Sequence, residues 1–427
     1  MSTPSDQTFD LAIVGAGAAG LMSAIWSGRT ALEAGAPLQV VAIDGAKRLG
    51  AKILVAGGGR CNVTHDVVTE RDYAGASPNA IRKVLGRFDV PRTIDFFRAL
   101  GVELKREETG KLFPTTDDAH TVLNALLNEA QHVGARLLFP WRVASVRRET
   151  DFFVVEREGE PTTLRARRLI LATGGKALPK TGSDGLGYAL ARSLGHTVTR
   201  DMFPALVPLT LPKNHWLTSL SGITLPTTLE LRSSTNKRLT AFTDSTLLTH
   251  FGLSGPSVLD ISRHFSAARH ADPGAHLVLN WLPDEAIESL DTKLLALARA
   301  SAGRFLCDRL PERVARALCE HAGIDFSAPA HTLTRERRRA LATLACETPL
   351  PVTGDRGFTH AEATAGGVPL SEVHLDTMES RECPGLYLCG ELLDVDGRVG
   401  GYNFQWAWAS GYTAGVGAAR GFLSPAP

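Results

Sequence analysis

The stretch FDLAIVGAGAAGLMSAIW, beginning at Phe9, constrains the fold more than any other. Leu11 to Val14 is an apolar run suited to a buried strand, and GAGAAG, Gly15 to Gly20, follows it directly. The spacing is G-x-G-x-x-G, and the Ala- and Leu-rich residues beyond it predict a helix. In that context Gly15 permits a tight turn. Gly17 lets backbone approach a pyrophosphate, and Gly20 lets the helix pack closely on the strand. The helix N-terminus, at Ala18 and Ala19, offers unpaired N–H groups and positive partial charge to phosphates. LQVVAID, Leu38 to Asp44, reads as the next strand. Asp44 at its end is placed to accept hydrogen bonds from a ribose hydroxyl pair. An acid there disfavours a 2′-phosphate. The opening is therefore a dinucleotide site in an α/β domain.

The rest of the chain alternates in character. Val90 to Val102 and Ala119 to Ala135 have helical spacing. WRVASVRRE and DFFVVERE alternate apolar and polar residues and predict a hairpin, and RRLILATGG reads as a buried strand ending in a glycine turn. From about Phe203 the sequence suits short strands, and from Pro283 to about Ala345 it becomes helical. Glycines return from Gly357. The predicted organisation is one nucleotide-binding domain in two parts, 1–200 and 357–427. Between them lie a β-rich insertion (201–282), a helical insertion (283–345) and a return through the β-rich part (346–356).

With 427 residues the chain can bury a sizeable core, and 46 basic against 45 acidic residues argue against nucleic acid or an anionic membrane as main partner. The six cysteines form no C-x-x-C pair, which suits a reduced, cytoplasmic protein. Leu11 to Trp26 is too short and glycine-rich for a membrane span, and no signal peptide is expected. No His, Cys or Asp cluster has metal-ligand spacing.

The far end decides between NAD and FAD. LYLCGELLDVDGRVGGYNFQWAWASG holds Asp394 after a strand, then Gly400 and Gly401, then a small-residue helix expected over Ala407 to Ala419. Such a segment closes the binding domain of glutathione-reductase-type FAD enzymes. A carboxylate meets the ribityl chain, and a helix N-terminus faces the flavin, where it stabilises the anion of the reduced ring. The structural alternative is that Asp394 and Asp396 are loop acids.

Several segments together resemble the BaiN/YhiN-like family of bacterial FAD-binding flavoproteins. They are KILVAGGGRCNVT, ATGG followed by PKTGSDGLGYALARSLGH, THFGLSGP, AEATAGGV and CGELLDVDGRVGGYNFQWAWASG, in family order over nearly the whole chain. Some members are described as bile-acid enone reductases and others as aminoacetone oxidases. The resemblance implies FAD and a glutathione-reductase-type Rossmann domain with an inserted β-barrel-like and helical region. This sequence departs from the family in having Asp44 where many relatives have Glu, and Ala51 where an Arg is common.

On this reading Lys52 and the triple glycine Gly57, Gly58 and Gly59 bring bare backbone against the FAD pyrophosphate or ring. Asn62 supplies donors and an acceptor for a ring or ribityl edge. Val143, Thr173, Gly174, Gly390, Glu391, Asp394, Gly401, Tyr402 and Asn403 complete the cofactor-binding set. Cys61 is either a redox thiol, activated by Arg60, or a neighbour only. The lack of a second nearby cysteine favours the neighbour. His250 and Tyr402 are the catalytic candidates. His250 can act as an acid to a substrate carbonyl or pack structurally. Tyr402 can protonate substrate, stack on the flavin or pack. GSDGLG, Gly182 to Gly187, has the wrong spacing for a second nucleotide loop and is predicted to line the flavin domain. NAD(P)H, if it is the donor, docks transiently at the flavin.

The expected reaction is hydride transfer between flavin N5 and a small organic substrate. One form is reduction of an activated C=C, and another is amine oxidation with O₂. Rivals are an FAD-dependent RNA methyltransferase, which the balanced charge disfavours, and a non-catalytic redox sensor. The oligomeric state is left open.

Overall fold

The computed structural model describes residues 8–423; the outermost residues of the predicted 1–200 and 357–427 segments lie outside the described residues. The chain divides into two compact units. The first comprises residues 1–204 and 362–427, and the second comprises residues 205–361.

The first unit is built on a nine-stranded sheet. Its centre is parallel, running Leu386–Leu388, Thr163–Leu171, Thr8–Val14, Val40–Ile43 and Arg136–Leu138. The ends of these strands, Leu11–Val14, Val40–Ile43, Leu169–Leu171 and Leu386–Leu388, are apolar and buried because both sheet faces are covered there. Register aligns their ends. Val14 pairs with Leu171 and with Ile43, and Leu171 pairs with Leu388. Gly15, Asp44, Ala172 and Cys389 therefore leave the sheet at one edge. In open α/β sheets that edge is where ligands bind. The predicted hairpin forms as antiparallel strands Val143–Arg148 and Phe153–Arg157.

One helix, Ala18–Glu33, follows the first strand, and the last helix, Tyr402–Leu423, lies against it. Small residues permit this contact. A Cβ on Gly411 would stand 2.5 Å from the Ala19 carbonyl oxygen, and one on Gly415 would stand 2.5 Å from that of Ser23. The Ser23 hydroxyl donates to the Gly411 carbonyl at 3.0 Å. The small-residue pattern predicted a helix only from Ala407. The helix begins at Tyr402 because Gly401 accepts from the Gln405 N–H and the aromatic turn is anchored by buried bonds. Trp408 Nε1 donates to the Val63 carbonyl, and Gln405 Nε2 donates to that of Phe88.

The second unit has its own apolar core, with Leu229, Leu277, Leu279, Val258 and Leu318 fully buried. Its seven-stranded antiparallel sheet centres on the long pair Thr224–Arg232 and Arg238–Thr249. The strand Thr348–Leu350 returns to this sheet after helices Ile287–Ala296, Ala302–Cys307, Glu312–His321 and Arg335–Cys346.

Candidate functional site

The glycine loop sits where the first strand meets the Ala18–Glu33 helix. No side chain caps that helix, and no acid stands in its first turn. Its first N–H groups are thus left for a ligand. A Cβ on Gly20 would lie 1.8 Å from the Gly15 carbonyl oxygen, so only glycine lets helix and turn approach this closely. At Gly17 the opposite holds, with no protein atom within 4 Å of an added Cβ. Asp44 has a role the sequence did not suggest. Its Oδ2 accepts from the Ala16 N–H at 2.9 Å, and Oδ1 accepts from the Ala46 N–H at 2.8 Å. The carboxylate pins the glycine loop. Val143 is buried and follows Trp141, whose N–H donates to the Asp44 carbonyl at 2.7 Å.

After the short helix Ala51–Val55 the triple glycine forms a tight left-handed turn. Its φ values are 57°, 69° and 87° at Gly57, Gly58 and Gly59, a region costly for side-chain-bearing residues. Cys61 also has positive φ and is fully buried, and burial pushes its thiol up to about 12. Arg60 does not activate it. The guanidinium lies over the Phe113 ring at 4.0 Å and pairs with Glu107 at 2.7 Å. All six cysteines are free thiols.

The C-terminal segment reaches the same edge. Glu391 Oε2 pairs with Lys52 Nζ at 2.5 Å, and Oε1 accepts from the Thr364 N–H at 2.9 Å. The Thr364 hydroxyl in turn accepts from the Lys176 and Ala177 N–H groups at 2.8 and 3.0 Å. Four segments distant in sequence are tied by one carboxylate and one hydroxyl. Gly175 must be small here, since its Cβ would stand 2.5 Å from Thr364 Oγ1 and 2.7 Å from Glu391 Oε1. Asp394 Oδ2 accepts from the Thr199 hydroxyl at 2.9 Å. Gly390 is held by the Ser410 hydroxyl, which accepts its N–H at 3.0 Å, and by Trp406 Nε1, which donates to its carbonyl at 3.1 Å. Asn403 bridges its own loop, accepting from the Gly397 N–H at 2.8 Å and donating to the Gly397 carbonyl at 3.0 Å.

Tyr402 is buried at the start of the last helix, behind Gly400 and Gly401. Its ring stacks on His65 at 5.0 Å. His65 and Thr364 were not singled out from sequence. The GSDGLG segment leads into the helix Leu186–Ser193, whose Gly187 packs against Thr173, so it lines this domain. His250 belongs to the second unit, in the turn between Arg238–Thr249 and Gly252–Ser254, exposed and edge-on to Phe251 at 5.2 Å.

Two buried polar atoms among these residues have no hydrogen-bond partner: Asn62 Oδ1 and Thr173 Oγ1. Buried polar groups are rarely left so, and such orphans mark where a ligand completes the bonding. Together with the uncapped helix and the clear space at Gly17, they fit a bound FAD.

A family model described as HI0933-like protein Rossmann domain matches residues 9–417. The chain belongs to this family. It is 36% identical over 415 residues to the 3-dehydro-bile acid delta(4,6)-reductase of Clostridium scindens, covering 96% of this chain and 99% of that one. It is 34% identical over 409 residues to the ribosomal RNA dihydrouridine synthase of Escherichia coli, covering 95% and 97%. The enzyme of that name from Haemophilus influenzae is 32% identical over 414 residues, covering 96% and 98%. Among solved structures, 3-ketosteroid delta1-dehydrogenase from Sterolibacterium denitrificans is similar with a TM-score of 0.51 at 13% identity, covering 97% of this chain and 100% of that one. Escherichia coli quinol fumarate reductase FrdA also gives 0.51, at 16% identity, covering 100% and 72%. These two likenesses concern fold alone. This HI0933-like chain is an FAD-dependent oxidoreductase with a glutathione-reductase-type Rossmann domain. Among the described residues no helix is long and apolar enough to cross a membrane.

Proposed function

We propose that this protein reduces a carbon–carbon double bond conjugated to a carbonyl. The supporting observation is a chemical agreement between relatives named for different substrates. A delta(4,6)-reductase of a 3-dehydro bile acid saturates alkenes conjugated to a ring ketone. A dihydrouridine synthase saturates the uracil ring alkene, also conjugated to a carbonyl. In both, the β-carbon accepts hydride and the α-carbon accepts a proton. Bound FAD supplies the hydride.

The chain's own residues divide the remaining work. Gly15, Gly17, Ala18, Ala19 and Gly20 receive the pyrophosphate, and Asp44 and Val143 hold the adenosine end. Lys52, Gly57, Gly58, Gly59, Asn62, Thr173, Gly174, Gly390, Glu391, Asp394, Gly401 and Asn403 surround the ribityl and ring. Tyr402 is the proton donor we assign, because it is the buried hydroxyl-bearing side chain at the start of the last helix. His250 is the second candidate.

A small enone is the first substrate reading. Uridine in ribosomal RNA is the second, favoured by the two synthase relatives, although a net charge of +1 gives RNA no general attraction. A methyltransferase is disfavoured, since a thiol pushed up to about 12 at Cys61 is poorly suited to hold a methylene group. The test is anaerobic reduction of the holoenzyme with NADH and NADPH. A 3-oxo-4-ene bile acid or ribosomal RNA lacking dihydrouridine is then added. Saturated product from either supports the reading. Product from neither, with O₂-dependent oxidation of an amine instead, refutes it.

A further inference from the structure

We infer that His65 is a positioning residue for Tyr402, holding the phenol ring in the orientation from which it delivers a proton. The inference rests on the assignment of Tyr402 in the proposed reaction. The two rings stack with centroids 5.0 Å apart and planes 20° from parallel. Such a stack positions nothing unless the imidazole is itself fixed, and it is fixed at both nitrogens. His65 Nε2 donates to the Thr109 carbonyl at 2.9 Å. Nδ1 lies 2.9 Å from Asp66 Oδ1 and 3.3 Å from the Val67 N–H. Asp66 is anchored in turn. Its other carboxylate oxygen accepts from Arg106 Nε, and its N–H donates to the Gly110 carbonyl at 2.8 Å.

Gly110 makes room for this arrangement, whereas a Cβ on Gly400 would meet the two rings only at ordinary contact distances. A Cβ on Gly110 would lie 2.4 Å from His65 Cε1 and 2.5 Å from Asp66 Oδ1. One on Gly400 would lie 3.4 Å from Tyr402 Cε2 and 3.7 Å from His65 Cδ2. On a second side Tyr73 approaches Tyr402 edge-on at 6.2 Å, and its hydroxyl donates to the Tyr402 carbonyl at 2.8 Å. The Tyr402 backbone is therefore set by Tyr73 and its ring by His65. The strand residues Thr64 and His65 supply the two halves of the arrangement. The Thr64 hydroxyl donates to Gln405 Oε1 at 2.7 Å, on the helix that Tyr402 begins, and His65 meets the ring.

The experiment compares His65→Ala, His65→Phe, Asp66→Asn and Tyr402→Phe holoenzymes. It reads kcat and KM for alkene reduction, FAD affinity and the visible circular dichroism of the bound flavin. His65→Ala is expected to lower kcat about 2- to 10-fold, the range of one aromatic pair, with KM and FAD affinity within about twofold. It is also expected to alter the flavin dichroism. His65→Phe keeps a stacking ring but loses both nitrogen anchors, so it is expected to lower kcat and alter the dichroism less than His65→Ala does. If His65→Ala does not fold, His65→Phe and Asp66→Asn carry the test. Both are then expected to lower kcat, with KM and FAD affinity within about twofold. Loss of activity in Tyr402→Phe with full kcat and unchanged dichroism in the His65 and Asp66 variants overturns the inference and leaves the role of Tyr402 intact. Full activity in Tyr402→Phe overturns the assignment of Tyr402 instead.

Discussion

Replacing Gly17 by alanine separates the cofactor from its scaffold. The backbone at Gly17 has φ −82° and ψ −161°, open to any residue, and no protein atom lies within 4 Å of the new Cβ. Folding stability of the apoprotein is expected to change by less than about 0.5 kcal/mol, as for other substitutions that touch nothing. The same methyl group stands at the uncapped helix start, where we place the pyrophosphate. Forcing one methyl into a filled contact costs about 1–3 kcal/mol. At 1.4 kcal/mol per tenfold, FAD affinity falls about 5- to 100-fold. Titrating apoprotein with FAD by flavin fluorescence, beside thermal unfolding of the same sample, measures both quantities. Gly20→Ala is the contrast. Its Cβ would stand 1.8 Å from the Gly15 carbonyl oxygen, so it destabilises the apoprotein by about 1–3 kcal/mol as well. Unchanged FAD affinity in Gly17→Ala would refute the placement of the pyrophosphate. So would a loss of affinity that merely tracks a loss of apoprotein stability.

Three further outcomes are expected. Thr173→Val removes a buried hydroxyl without a partner, so it raises apoprotein stability by up to about 1 kcal/mol while weakening FAD binding several-fold; equal affinity would show that the hydroxyl is not a cofactor contact. Burial alone would raise the Glu372 carboxyl, but hydrogen bonds from Thr197 and His196 outweigh it and hold it below the usual carboxylate range. A depressed carboxylate stabilises the fold above its unfolded value, about pH 4, and that contribution is lost as pH falls through the folded value. Glu372→Gln therefore flattens the acid branch of a stability–pH curve below about pH 4, which urea unfolding across pH would detect. Among the six thiols only Cys307 is not buried, so thiol titration of native protein is expected to find one fast group; rapid labelling of Cys61 would contradict its burial.

Much of the cofactor domain was legible in the sequence because its signals are local. The strand, the glycine loop and Asp44 occupy a short span, and the three glycines at Gly57 mark a turn that other residues resist. The contacts that complete the site are long-range. The bonds of Thr364 to Lys176 and to Glu391 leave no pattern in the sequence around Thr364. His65 stood unnoticed beside Asn62 because its meaning comes from Tyr402 at the other end of the chain. Arg60 misled for the same reason. Its neighbour in sequence is Cys61, but its partners are Phe113 and Glu107. The last helix was predicted too short because its small residues signal only the face turned to the first helix, whereas Trp408 and Gln405 are held by backbone far upstream.

The most direct test of the central claim is a single-turnover experiment on reduced holoenzyme without oxygen. Flavin absorbance is followed while a conjugated enone, or ribosomal RNA lacking dihydrouridine, is mixed in. Return of the visible band at a rate that rises with substrate concentration, with saturated product equal to flavin oxidised, is the predicted result. A band that stays bleached with both substrates and returns only when O₂ is admitted would contradict the account.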